Sequence, residues 1–216
     1  MATLRYCYQT VEFGDTDIHL RTLRDKQQFS DDDGVAEQLG ISSSTWPLFG
    51  VIWDSSKVLA HYMSNYEIEG KRILEVGCGM ALSSLMLNER NADITATDYH
   101  PEVELFLTEN VLLNKGKDIP FIRVDWASDD DKLGKFDMII GSDILYEQNH
   151  AELLSRFIDR HTKPHCKIVI VDPGRSQHAR FSKQMINLGY SHSRSKPDDA
   201  DYLSQPFKGH ILCYQR

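Results

Sequence analysis

The sequence predicts an α/β fold built on a mainly parallel sheet, and three observations predict it. From Trp46 onward, short apolar runs of strand length alternate with amphipathic stretches of helical period. The run "FDMIIG" is apolar almost throughout, as a strand covered on both faces must be. Finally, "RILEVGCGMALSS" passes from a strand through a glycine turn into a helix, the plan of a nucleotide-binding crevice.

The elements follow in order. "YCYQTVEFG" and "DIHLRTL" alternate about Gly14 and Asp15 and read as a hairpin. The polar, weakly periodic "RDKQQFSDDDGVAEQLGISSST" is a lead-in, ordered or mobile. Asp54 or Ser55 can cap a helix that carries Val58, Leu59, Tyr62 and Met63 on one face. The strand "RILEV", a helix with Leu82, Leu85 and Met86, and the strand "DITATD" come next. A helix marked by Val103, Phe106, Leu107, Asn110 and Val111 precedes the strands "FIRV" and "FDMIIG". Leu153, Leu154, Phe157 and Ile158 form another helical stripe before "KIVIV". Ser176 can cap a helix with Phe181, Met185 and Leu188, and "YSHSRS" and "GHILCYQ" close the chain as strands able to pair antiparallel.

A chain of 216 residues fits one domain with an appendage and buries roughly 70% of its unfolded surface. Its 41% hydrophobic and 26% charged content is that of an ordinary globule. No stretch approaches ~18 consecutive apolar residues, which argues against a membrane span. Cys7, Cys78, Cys166 and Cys213 stand far apart without a CxxC pair, so neither a disulfide framework nor a zinc site is expected, and the context reads as reducing and cytoplasmic. A net charge of −8 argues against non-specific nucleic-acid binding. The acidic runs at 31–33 and 129–131 read as solvated loops, with a docking patch as the alternative.

What the glycine turn holds is narrowed by its neighbours. Leu82 stands where a dinucleotide fingerprint has its last glycine, and the second glycine and lysine of a phosphate-cradling P-loop are missing. Glu75, two positions before Gly77, would repel a pyrophosphate at the mouth of the turn and attract an ammonium. Asp98 ends the next strand, 21 residues beyond Gly77, where a carboxylate accepts hydrogen bonds from ribose hydroxyls. Asp125 and Trp126 follow the third strand: the indole either flanks an adenine or simply packs, while the carboxylate or a main-chain group meets the exocyclic amine. Gly77, Asp98, Asp125 and Ser142 all fall at the carboxyl ends of parallel strands, where ligands of open α/β sheets bind. An adenosine with a cationic, amino-acid-like tail is S-adenosyl-L-methionine.

Five ordered motifs carry a resemblance: "FGVIWDSSKVLAHYM", "ILEVGCGMALSS", "ITATDYHPE", "VDW" and "GSDILYE". Across roughly 48–215 the chain resembles the class I S-adenosylmethionine-dependent methyltransferases, nearest the lysine methyltransferase group related to methyltransferase-like family 21 proteins. That resemblance implies a Rossmann-like, seven-stranded, mostly parallel sheet with helices on both faces and a methyltransferase domain over 46–216, preceded by the hairpin and lead-in as an N-terminal β-hairpin extension over 1–45. It matches Trp53 to the tryptophan bordering the cofactor, Gly77, Cys78 and Gly79 to the methionine-side loop, and Asp98 to the ribose acid. Trp126 falls on the adenine-side position and Ser142 just before the substrate motif, while Trp46 reads as a lid or packing residue. In two places the chain departs from the pattern. Ala81 replaces a further glycine, at a position where a Cβ is costly if φ is positive. Asp54 replaces a proline common among relatives.

Asp143 and Tyr146 match the group's Asp-x-x-Tyr signature, and in a helical turn they would share a face. Asp143 would orient a substrate amine, Tyr146 wall the channel and Glu147 add negative potential; alternatively Asp143 caps the next helix. Asp172 and Arg175, in "VDPGR", can shape the opposite wall. The expected activity is N-methylation of a protein lysine, with no metal. The alternatives are a small-molecule amine or nicotinamide-like N-methyltransferase, a non-catalytic adenosyl-binding module and, further off, a nicotinamide-binding oxidoreductase.

Overall fold

The computed structural model describes residues 4–26, 29–129 and 132–216. β1 (Tyr6–Phe13) and β2 (Thr16–Leu23) form the expected antiparallel hairpin, turning at Gly14 with φ 65°. The lead-in holds the four-residue helix α1 (Val35–Gln38) and, from Trp46 to Gly50, a 3₁₀ turn. Then come α2 (Asp54–Ser64), β3 (Arg72–Val76), α3 (Leu82–Glu89), β4 (Asp93–Asp98), α4 (Val103–Leu113) and β5 (Phe121–Arg123). β6 (Phe136–Ser142), α5 (His150–His161), β7 (Thr162–Asp172), α6 (Gln177–Asn187), β8 (Ser191–Ser195) and β9 (His210–Gln215) complete the chain.

Seven strands form one sheet in the order β5-β4-β3-β6-β7-β9-β8, parallel except at β9, which pairs antiparallel with both β7 and β8. The period-2 alternation of strand side chains divides the core between its two faces. Ile73, Met138 and Val169 face α2, α3 and α4, whereas Leu74, Ile139 and Ile170 face α5 and α6. Ile168, Val169, Ile170 and Val171 are all 0% exposed, which is why β7 reads as an unbroken apolar run. Among the described residues no helix is long and apolar enough to cross a membrane.

The hairpin lies on the α2–α4 face, with Ile18, Leu20 and Leu23 in the same core cluster as Leu59 and Phe106. β2 is tied down by two asparagines, Asn110 of α4 and Asn114 at its C-cap. Asn110 Oδ1 accepts from Arg21 N at 2.7 Å and its Nδ2 donates to Arg21 O at 3.2 Å. Asn114 makes the same pair of bonds with His19, at 2.8 and 2.7 Å.

Some local expectations are corrected. Neither Asp54 nor Ser55 caps α2: the N-cap is Trp53, Asp54 is already in the first turn, and no side chain caps the end. Ser176 does precede α6, but its hydroxyl makes no capping bond. Asp31 is more than a solvated loop residue, since its Oδ2 accepts from Glu37 N in α1 at 2.8 Å. Asp129 pairs with Arg160 at 2.6 Å, and the expectation for Asp130 and Asp131 lies outside the described residues. Ala81, the replacement for glycine, has φ 55° and ψ 34°. A left-handed alanine costs on the order of 1 kcal/mol, which its packed surroundings sustain.

Candidate active site

A cavity of about 720 Å³ opens above the carboxyl ends of β3, β4, β5, β6 and β7, within the size range of small-molecule sites. It brings together Trp53, Gly77, Cys78, Gly79, Asp98, Asp125, Trp126, Ser142, Asp143 and Tyr146, which the sequence scatters over 94 positions (53–146).

The turn after β3 sits close against its neighbours. Gly77 and Gly79 have φ of 61° and 51°. A Cβ on Gly77 would lie 2.6 Å from Ile144 Cγ2, and one on Gly79 would lie 3.2 Å from Phe49 O. Glycine is therefore favoured at both positions by conformation, and at Gly77 by space as well. Cys78 N donates to Thr97 O at 2.9 Å, fixing the turn to β4. Burial pushes the Cys78 thiol well up, which keeps it protonated and poorly nucleophilic.

Asp98 accepts one backbone bond on each oxygen, from Gly79 N to Oδ2 and from His100 N to Oδ1, both 2.9 Å. Both oxygens retain a lone pair for a ligand hydroxyl. Burial raises its pKa, with the backbone N–H groups pulling the other way. The exposed Asp125 accepts from Ala127 N at 2.8 Å, so its carboxylate is fixed by its own turn. The Trp126 indole meets His150 edge-on at 5.2 Å, and His150 meets Tyr146 in the same way at 4.7 Å. His150 is thus the hinge between the two aromatics. The sequence reading missed it because its only signal was a place at the start of an amphipathic helix.

Glu75 does not stand at the mouth. It is 2% exposed, lies beneath the turn, and its Oε2 accepts from both the backbone N–H and the hydroxyl of Ser84 in α3. The expected direct contact with an ammonium is corrected accordingly: alternation sends this strand residue inward, where it ties β3 to the first turn of α3. Burial pushes its carboxyl up to about 7, with the Ser84 bonds opposing and Asp98 adding to the rise. A carboxyl whose pKa rises on folding binds its proton more tightly in the folded state. Its contribution to stability is full below the ordinary value of 4.5 and is lost as the pH climbs through about 7. Glu75→Gln is expected to flatten this dependence, raising stability at pH 8 relative to pH 5 by on the order of 1–3 kcal/mol. Urea titrations at the two pH values measure it.

Asp143 and Tyr146 share no helical turn. Asp143 has φ 56°, the segment to Tyr146 is irregular, and α5 begins only at His150 behind the N-cap Asn149. Asp143 therefore caps nothing. Its N–H donates to Val171 O at 2.9 Å, and Oδ1 accepts from Arg175 Nε at 2.7 Å and Nη2 at 2.6 Å. Burial raises its pKa while Arg175 lowers it, the net direction being up. Tyr146 stands at the rim, 46% exposed. Arg175 borders the cavity as expected, but Asp172 does not: it is 2% exposed and accepts from Gly174 N and Arg175 N, both at 2.8 Å, shaping the loop from below.

The lead-in supplies a wall that the sequence did not reveal. Gly40, Ile41, Ser42 and Thr45 line the cavity. Tyr99 OH donates to Leu39 O at 2.7 Å, Trp46 Nε1 to Ile41 O at 2.9 Å and Trp53 Nε1 to Leu48 O at 3.0 Å. Trp46 thus packs outside the cavity, while Trp53 lines it.

A family model described as lysine methyltransferase matches residues 37–187. Protein N-lysine methyltransferase METTL21A of Danio rerio is 33% identical over 124 residues, 52% of this chain and 56% of that protein. The histidine protein methyltransferase 1 homolog of Dictyostelium discoideum is 35% identical over 124 residues, covering 54% and 40%. The electron transfer flavoprotein beta subunit lysine methyltransferase of Mus musculus is 26% identical over 140 residues, covering 63% and 54%. The chain spans about half the length of these curated relatives. Among solved structures, the T. thermophilus 16S rRNA N2 G1207 methyltransferase (RsmC), in complex with AdoMet and guanosine, aligns with a TM-score of 0.68 at 11% identity, covering 99% of this chain and 51% of that one. At that identity the likeness establishes the fold alone. The family match covers well over half of the sequence, and the chain belongs to the lysine methyltransferase family.

Proposed function

We propose that the protein is an S-adenosyl-L-methionine-dependent N-methyltransferase that modifies a lysine side chain of a protein. The observation that carries this reading is the juxtaposition of Asp143 and Tyr146 with the Gly77–Gly79 turn, Asp98 and Trp126 around one cavity. These residues fit the cofactor. The turn has no room for a side chain on Gly77, Asp98 keeps lone pairs for ribose hydroxyls, and the Trp53 and Trp126 rings line the cavity, with Lys26 Nζ 4.2 Å from the centre of the Trp53 ring. When bound, the cofactor supplies a methyl group activated by its sulfonium.

The chain's own residues do the rest. A lysine amine reacts only when neutral, and its pKa in water is ~10.4. The cavity walls remove water from the incoming ammonium, which favours proton loss. Asp143 holds the nitrogen in line for transfer, and Tyr146 at the rim guides the alkyl stem. Holding the acceptor in place supplies most of the acceleration without a strong base. In this reading 46–216 carry the chemistry, and residues 40–45 at the end of the N-terminal extension wall the mouth. A cytoplasmic location belongs to the same proposal, in keeping with cysteines spaced too widely for a disulfide framework.

One observation favours a second acceptor. Asp143 already bears the Arg175 guanidinium, so the mouth is less attractive to a cation than a lone carboxylate, and the Dictyostelium discoideum relative is named a histidine protein methyltransferase. A neutral imidazole is the alternative nucleophile.

The test is transfer of labelled methyl from S-adenosylmethionine into a cell extract split into protein, nucleic-acid and metabolite fractions. Methyl-lysine in hydrolysed protein is the expected product, methyl-histidine the second reading, and label confined to metabolites would overturn both. Asp98→Ala is expected to weaken binding of S-adenosylhomocysteine by at least about 10–100-fold, the cost of a single lost ribose hydrogen bond to a charged group being ~1.5–3 kcal/mol. Calorimetry measures it.

A further inference from the structure

Away from the cavity, α6 and β8 enclose a second groove of about 320 Å³, lined by His178, Lys183, Ile186, His192 and Arg194 among others and by no acidic residue. That is notable in a chain of net charge −8. Among the described residues neither Lys183 nor Arg194 enters an ion pair. Asp199 and Asp198, which follow β8, act on His61 and Tyr62 of α2, on the other face of the sheet. The floor is fixed, with His192 stacked on Tyr214 at 4.9 Å and Ser182 Oγ bonded to Tyr214 OH at 2.8 Å.

Two further features give the groove a direction. β8 is the outermost strand, exposed at all five positions, so one row of its N–H and C=O groups faces away from β9. Such an edge is a template for an added strand. The groove also reaches the catalytic end of the sheet. Ser195 pairs with Ile211, and Ile211 with Val171, at the carboxyl end of β7. His178 Nδ1 is hydrogen-bonded to the carbonyl of Arg175, whose guanidinium holds Asp143.

We propose that this groove docks an extended acidic segment of the protein substrate, which adds as a strand along β8 with its carboxylates on Lys183 and Arg194. Main-chain bonds supply affinity in such strand addition, and alternate side chains supply selectivity. Burial and the charges of Arg194 and His178 hold His192 below its usual pKa, consistent with a positive local field. The proposal rests on the reading of the substrate as a protein.

The probe is a fluorescein-labelled peptide of about twelve residues alternating Glu with Val, measured by anisotropy at low salt. Binding is expected to weaken at least tenfold in the Lys183→Glu/Arg194→Glu double variant and to fall steeply with salt, while a Lys-Val peptide of equal length does not bind. Hydrogen exchange is expected to slow at the amides of Ser191–Ser195. An unchanged thermal melt shows the variant folded; if it melts early, Lys183→Gln/Arg194→Gln takes its place. Equal binding by the variant overturns the proposal. So does displacement by inorganic phosphate without protection of β8, the mark of a small-anion site, or tighter binding of single-stranded RNA. Calorimetry with S-adenosylhomocysteine runs in parallel, so loss of the cofactor reading with peptide binding intact separates the two claims.

Discussion

Asp143→Ala is expected to lower kcat/KM for methyl transfer by about 10²–10³-fold while leaving the affinity for S-adenosylhomocysteine within about twofold. The carboxylate is 9% exposed, forms an ion pair with Arg175, and sits where the chain turns back with φ 56°. Its removal deprives the acceptor nitrogen of the group that orients it, and it frees Arg175 to swing into the mouth as a repelling cation. A second variant separates these effects. Asp143→Ala/Arg175→Ala removes the loose guanidinium, so activity recovered from the double variant measures the repulsion, and what stays lost measures orientation. Single-turnover rates at saturating cofactor provide the measurement. Wild-type turnover by Asp143→Ala would remove this residue from the chemistry.

The largest loss of stability is expected from Asn110→Ala. Asn110 is 0% exposed, and its amide satisfies both the N–H and the C=O of Arg21 on the outer edge of the hairpin. Asn110 and Asn114 stand one helical turn apart, about 6 Å along the axis, and Arg21 and His19 are two residues apart on a strand, about 6.8 Å. The near match lets a helix present two amides in the register of a neighbouring strand. Truncating Asn110 leaves a donor and an acceptor unpaired at the packed end of this contact, costing about 2–4 kcal/mol. For a chain of this size that lowers Tm by roughly 5–15 °C. Asn114→Ala, at the exposed rim where water replaces the amide, is expected to cost about 1 kcal/mol or less. Equal effects from the two would refute this ranking.

Much of the fold was legible in the sequence, for identifiable reasons. β6 and β7 are covered on both faces, so composition alone betrays them. The hairpin announced itself through alternation about Gly14. Most of the expected site residues meet in one cavity because loops after parallel strands converge at one edge, and their order along the chain was enough to suggest it. Asn110 was visible too, as a polar residue within an apolar helical stripe, but its partner was not.

What the sequence determined by itself is whatever depends on period and local conformation: the strands and helices, the hairpin, the glycines of the turn and the chemical character of the site. What only the tertiary structure decided involves distant partners. Arg175 meets Asp143 across 32 residues, Asn114 meets His19 across 95, and Tyr99 meets Leu39 across 60. The inward turn of Glu75 and the wall contributed by residues 40–45 belong to the same class. Periodicity states which face of an element is apolar, but the partner of a polar group is set by how faces pack. Such pairings surface only when the whole chain has closed around its core.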